Sequence, residues 1–213
     1  VQHDQKIIDG ADGIPLKVKG SLIKKEDVHR SFVEVIGYLR VTGNMTTSKL
    51  KVLGDCSIRN HCQAMQVENL GSLRVQSLQA DRVSSSGYLS VSQKAVVDSF
   101  QAKGAVRIDN LIATESIDIS LSSVCQVGTM KAYRSITVRP SSRAFNYFMR
   151  PFSKLRCEMV QAVNVTLYRT EAKLVCGEEI IIGPGCTIRE VRYSKSFQAD
   201  PGSHVENIVL LKE

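Results

Sequence analysis

The sequence predicts an all-β fold, a right-handed parallel β-helix, and three observations carry that expectation. First, glycine returns at Gly20, Gly37, Gly54, Gly71, Gly87 and Gly104, with intervals of 17, 17, 17, 16 and 17. A fixed short period is the signature of a solenoid, and a search for one comes before any other reading. Second, apolar residues keep fixed places relative to each glycine: Leu16, Val33, Leu50, Val67, Val83 and Phe100 stand four before it. Leu22, Leu39, Cys56, Leu73, Leu89 and Val106 stand two after it. Two further on are Val41, Ile58, Val75, Val91 and Ile108, with Lys24 the exception in the first repeat. Alternation at period two buries one face of a strand. Third, polar corners at Gly43, Asn60, Ser77 and Asn110 break that face into three short runs. A coil of that length with three short sides is one rung of a β-helix. Antiparallel hairpins in a sandwich need no constant period. Handedness follows from the strong preference of parallel crossovers for the right-handed form.

In chain order, residues 1–15 read as a lead-in, with Ile7 and Ile8 followed by the turn Asp9-Gly10-Ala11-Asp12-Gly13. A third inward run is expected eight residues after each glycine, at Val28, Met45, Cys62, Gln79, Ala95 and Ile112. Beyond Gly104 the rhythm continues through Ile117 and Ile119, then Cys125 and Val127, then Ile136 and Val138. It fails over residues 139–156, where two prolines and the loss of alternation indicate an inserted loop or short helix. It returns with pairs 17 apart, Cys157 with Leu174, Val163 with Ile180, Val165 with Ile182 and Leu174 with Val191. Residues 194–213 read as a closing segment, a last strand or a lid around Ile208-Val209-Leu210-Leu211. No Gly-, Ser- or Pro-rich linker divides residues 1–213, so a single domain of about ten rungs is expected. At the spacing of neighbouring strands this makes a rod roughly 45–50 Å long.

Composition sets the bounds. The chain has 213 residues, with 6% aromatics and no tryptophan. That length is enough for a core, and the lean aromatic content suits a narrow interior filled by small branched side chains. No apolar run approaches the roughly 20 residues of a membrane helix. The first residues show no signal-peptide pattern. Of six cysteines, Cys56, Cys62, Cys125 and Cys186 fall on inward positions. No CxxC pair points to zinc or redox chemistry. This usage indicates a reducing, cytoplasmic compartment, in which the sequons at Asn44 and Asn164 carry no sugar.

Chemistry is sparse. His3, His29, His61 and His204 are scattered, and none stands beside a plausible nucleophile. Acids suited to glycoside hydrolysis do not cluster, and no phosphate-binding glycine loop appears. The stretch from Ile182 to Ile188 is locally similar to hexapeptide-repeat acyltransferases, yet no six-residue rhythm surrounds it. No cofactor or metal is expected. Charge is more informative: the net is +7, and Lys131, Arg134, Arg139, Arg143, Arg150, Lys154 and Arg156 follow one another with no acid between Asp118 and Glu158. Interleaved with them stand Phe145, Tyr147, Phe148, Met149 and Phe152. Such a patch seats in a membrane interface, stacks on single-stranded nucleic acid, docks on another subunit, or simply covers the rod's flank. The candidate contact residues are Arg143, Phe145, Tyr147, Phe148, Arg150 and Phe152, and no nucleic-acid partner is expected.

The Gly-x-Leu-x-Val unit, as in Gly37-Tyr38-Leu39-Arg40-Val41, Gly71-Ser72-Leu73-Arg74-Val75 and Gly87-Tyr88-Leu89-Ser90-Val91, resembles that of the bactofilins, bacterial polymer-forming cytoskeletal proteins. The stretch from Ala172 to Ile188 is similar to the C-terminal part of longer, Gram-positive members. The resemblance implies a nucleotide-independent homopolymer joined end to end. It also implies a non-enzymatic scaffold for cell-shape, envelope or motility machinery, with other bactofilins among its partners and the inner membrane face nearby. The chain departs from that pattern in showing neither proline-rich tails nor an evident N-terminal membrane-targeting peptide, which leaves residues 139–156 as the candidate for peripheral membrane contact. A solenoid must cap its two open ends or pair them. The expected pairing residues are Leu16, Val18 and Leu22 at one end and Val205, Ile208 and Leu210 at the other. The competing expectation is a β-helical enzyme acting on carbohydrate or acyl substrates.

Overall fold

The structure is a computed structural model that describes residues 15–141 and 153–211. These residues form a parallel β-solenoid of about eleven turns, and no helix occurs among them. The first turn consists of β1 (Leu16–Val18), β2 (Ser21–Lys24) and the start of β3 (Val28–Val35). Next come β4 (Tyr38–Val41), β5 (Met45–Val52), β6 (Asp55–Asn69), β7 (Ser72–Ser85), β8 (Tyr88–Ala102) and β9 (Ala105–Leu121). The later turns use β10 (Cys125–Ala132), β11 (Ser135–Pro140), β12 (Leu155–Gln161), β13 (Asn164–Leu167), β14 (Thr170–Ile182), β15 (Thr187–Ala199) and β16 (His204–Leu210).

Each turn has three faces, and register aligns their inward residues into columns. On the first face the column runs Leu16, Val33, Leu50, Val67, Val83, Phe100, Ile117, Ile136, Val165, Ile180, Phe197. On the second, Leu22, Leu39, Cys56, Leu73, Leu89 and Val106 stack in turn. Their interior members are closed to water, and stacking like on like fills the narrow bore at the density of a protein interior. The glycines mark the corner between these two faces. A Cβ at Gly54 would stand 2.0 Å from the Gly37 carbonyl oxygen, and at Gly71, Gly87 and Gly104 it would stand 2.1, 1.9 and 2.0 Å from that of the glycine one turn before. Close approach of backbone to backbone fixes the residue type here.

The third face corrects the expected register. Leu78 and Leu111, not Gln79 and Ile112, join Val28, Met45, Cys62 and Ala95 in the inward column. The corner before it absorbs a varying number of residues, as the register shift between Ile58 and His61 records. At this corner the His61 amide donates to Asn44 Oδ1 at 3.3 Å, and its Nδ1 stands 2.9 Å from Ser77 Oγ. His61 is tied into a polar corner stack.

The irregular segment is narrower than 139–156. Arg139 and Pro140 complete β11 on Ser120 and Leu121, while Leu155 and Arg156 open β12 on Cys125 and Gln126. The insertion therefore departs from the same corner that the glycines occupy in earlier turns. Past it, Cys157 pairs with Ala172, Val165 with Ile180, Leu167 with Ile182 and Val175 with Val191, replacing the pairs expected at a spacing of 17. Residues 194–199 finish β15 and β16 adds a last parallel strand on it, so the C-terminal segment through Leu210 is a further turn rather than a lid.

Candidate interaction surfaces

Two surfaces stand out once the columns are in place, the ends of the rod and an arginine-bearing flank. At the C-terminal end, Ile208 stacks on Val191 and Val205 on Ile188. Val191 and Ile188 are fully buried, whereas Ile208 and Leu210 are each 53% exposed because no strand of the described residues lies beyond β16. Val205 and Phe197 remain partly buried, and the Phe197 ring lies 5.5 Å from that of Tyr193. The end surface is thus apolar where the columns stop.

The other end differs. Leu16 and Leu22 are partly buried against the next turn, while Val18 is 4% exposed and belongs to the core rather than to the end surface. Lys24 occupies the inward column continued by Val41 and Ile58, and it is exposed. An inward charge at an edge is a common device for discouraging unwanted strand addition. The residues Arg143, Phe145, Tyr147, Phe148, Arg150 and Phe152 lie outside the described residues.

The flank was not anticipated from the sequence. On the second face the outward positions Arg40, Ser57, Arg74, Ser90, Arg107, Gln126 and Arg156 are successive register partners. An arginine thus recurs on every second turn. Arg74 is held by Asp55 at 3.0 Å and lies over the Tyr88 ring at 5.6 Å, and Arg156 Nε reaches Glu171 at 3.0 Å. Lys154 also bonds Glu171, and chiefly that bond, with the one from Arg156, holds the Glu171 carboxyl below the usual range. Arg40 and Arg107 have no side-chain partner among the described residues. Two grooves follow this line: one of about 550 Å³ beside Ser57, Arg74 and Ser90, and one of about 540 Å³ beside Arg107, Gly128 and Arg156. They form where serine and glycine shorten the outward wall.

The six cysteines are free thiols, with Cys56, Cys62, Cys125, Cys157 and Cys186 buried and Cys176 partly exposed. Burial pushes the Cys62 thiol up to about 12, so it behaves as a small core hydrophobe. No group of three or more His, Cys, Asp or Glu among the described residues could hold a metal ion. No helix of the described residues is long and apolar enough to cross a membrane.

No family model matches the chain, and no solved structure gives a significant match. Two proteins of Bacillus subtilis (strain 168) are similar in part. The uncharacterized protein YhbF is 38% identical over 72 residues, 34% of this chain and 29% of that protein. The uncharacterized protein YhbE is 38% identical over 58 residues, 27% of this chain and 24% of that protein. The matched stretch therefore spans less than a third of either relative.

Proposed function

We propose that the protein is a non-enzymatic, nucleotide-independent scaffold of the bactofilin type that assembles by end-to-end stacking of its solenoid. The observation that carries the reading is the C-terminal end of the described solenoid, where the inward columns reach Ile208 and Leu210, each 53% exposed, beside an edge of β16 that no strand of the described residues pairs. Burying a leucine-sized side chain is worth ~1.5–3 kcal/mol, so a few such contacts, with backbone pairing along the strand edge, are enough to hold copies together. Like contacts at each end would give an open, non-polar filament. Lys24 makes the N-terminal contact the weaker of the two, because stacking on it requires a partner for an inward charge.

The test is a pelleting assay at physiological salt with purified chain and no nucleotide, followed by negative-stain electron microscopy. Sedimenting filaments that survive about 0.5 M added salt are expected, since apolar contacts are not screened. A chain that stays monomeric at every concentration, or that sediments only with nucleotide, overturns the reading.

A further inference from the structure

We propose that the second face of the rod is a docking surface for an acidic polypeptide segment in the polyproline II conformation, carrying a carboxylate at every third residue. The inference does not depend on end-to-end assembly. It rests on the column Arg40, Ser57, Arg74, Ser90, Arg107, Gln126, Arg156, in which arginine and a small or neutral residue alternate turn by turn.

Neighbouring parallel strands lie ~4.8 Å apart, so successive arginines are ~9.6 Å apart along the rod. A polyproline II helix has three residues per turn and a rise of ~3.1 Å, which presents the same side every ~9.3 Å. The mismatch of about 0.3 Å per step amounts to roughly 1 Å over the three intervals, well within the reach of an arginine side chain. A fully extended strand fits less well: its same-side residues recur at ~6.7 Å and miss successive arginines by about 3, 1 and 2 Å. Polyproline II also has no backbone partners to satisfy, which suits a face whose own ladder is already complete.

The pattern is peculiar to this face. Across the turns of Arg40 to Arg107, the outward column on the third face, Thr46, Gln63, Gln79, Val96 and Ile112, carries no charge, and its first cation is Lys131 in the turn after. On the first face the outward residues Lys17, Glu34 and Lys51 alternate in sign and pair with one another. Arg74 is pre-positioned by Asp55 and Tyr88, and Arg40 and Arg107 stand ready with no internal partner among the described residues. The fork of a guanidinium matches a carboxylate bidentately. The groove beside Ser57 and Ser90, whose lining holds no acid, gives the spacer residues of the ligand somewhere to lie, whereas the groove beside Gly128 is also lined by Asp109, Glu158, Glu171 and Glu206. Single-stranded nucleic acid would need aromatic platforms, and among the described residues the aromatics facing outward along these arginines are Tyr38 and Tyr88, the latter already covered by Arg74.

Fluorescence anisotropy with a labelled peptide of five Glu-Pro-Pro repeats tests the proposal. A block peptide of the same composition, with all its glutamates before all its prolines, and an oligothymidylate of equal length serve as comparisons. The phased peptide is expected to bind about tenfold more tightly than the block peptide at low salt and to weaken as salt rises. Arg40→Gln together with Arg107→Gln should weaken it by roughly tenfold while the melting temperature stays unchanged. The proposal is overturned if the phased and block peptides bind alike, if the double variant binds as the parent does, or if no binding is seen. Tighter binding of the oligonucleotide than of the phased peptide overturns it in favour of a nucleic-acid face.

Discussion

Replacing Leu73 with aspartate is expected to leave the chain unable to complete its solenoid. Leu73 is fully buried between Cys56 in the turn before and Leu89 in the turn after. Losing a buried leucine costs about 2–5 kcal/mol by itself. The carboxylate that replaces it meets no cation in the inward column, and an unpaired buried charge costs several kcal/mol more or takes up a proton. Against a total stability of roughly 5–15 kcal/mol for a folded domain, the sum removes most or all of the margin. Circular dichroism should show the strand signal lost or the melting temperature far below that of the parent. A variant with parental signal and melting temperature would place Leu73 outside the core and contradict the register.

Gly54→Ala should produce the next largest loss. The new Cβ would stand 2.0 Å from the Gly37 carbonyl oxygen and 2.3 Å from that of Ile36, both of them backbone atoms. The corner is also pinned by bonds from the Leu53 and Gly54 amides to the Val35 carbonyl at 2.8 and 3.0 Å. No side-chain rotation relieves such a contact, so the turns must part. Overpacking usually costs about 1–3 kcal/mol. A backbone obstacle puts this case at or above ~3 kcal/mol, which lowers the melting temperature by roughly 10 °C in a chain of this size. Gly20→Ala is the internal comparison, because no atom of the described residues lies within 4 Å of its Cβ position. It should melt within a degree or two of the parent. Equal melting of the two variants would mean that the corner is not held by close approach.

Most of the fold was legible because the backbone crowding at one corner demands a glycine, and a glycine that returns once per turn is visible in the sequence. The strands themselves were legible from alternation, which is a local property. Register across an uneven corner was not. Counting eight on from Gly71 selects Gln79, whereas the corner at Ser77 is a residue shorter and brings Leu78 inward. After the insertion the step from Val165 to Ile180 is two positions shorter than the glycine period, so a count of 17 misassigned the pairs. The missed arginine column had a signal: Arg40, Arg74 and Arg107 all stand three residues after a ladder glycine, with Ser57 and Ser90 at the same place between them. Charges read along the chain reveal runs, such as the one from Lys131 to Arg156, but a solenoid assembles its surfaces across turns. Arg156 could join the column only after the structure placed it on Gln126. At the rod ends, Ile208 and Leu210 are exposed while Val18 is covered, a difference that alternation alone does not reveal.

The most direct measurement of the end-stacking account is sedimentation velocity of the parent chain beside the variant Ile208→Asp/Leu210→Asp. Both side chains are half exposed in the isolated rod, so the variant should keep the parental circular dichroism and melting temperature. The account predicts large, concentration-dependent species for the parent and species no larger than a dimer for the variant, because one of the two ends is closed. A folded variant that sediments as the parent does would contradict end-to-end assembly through this face.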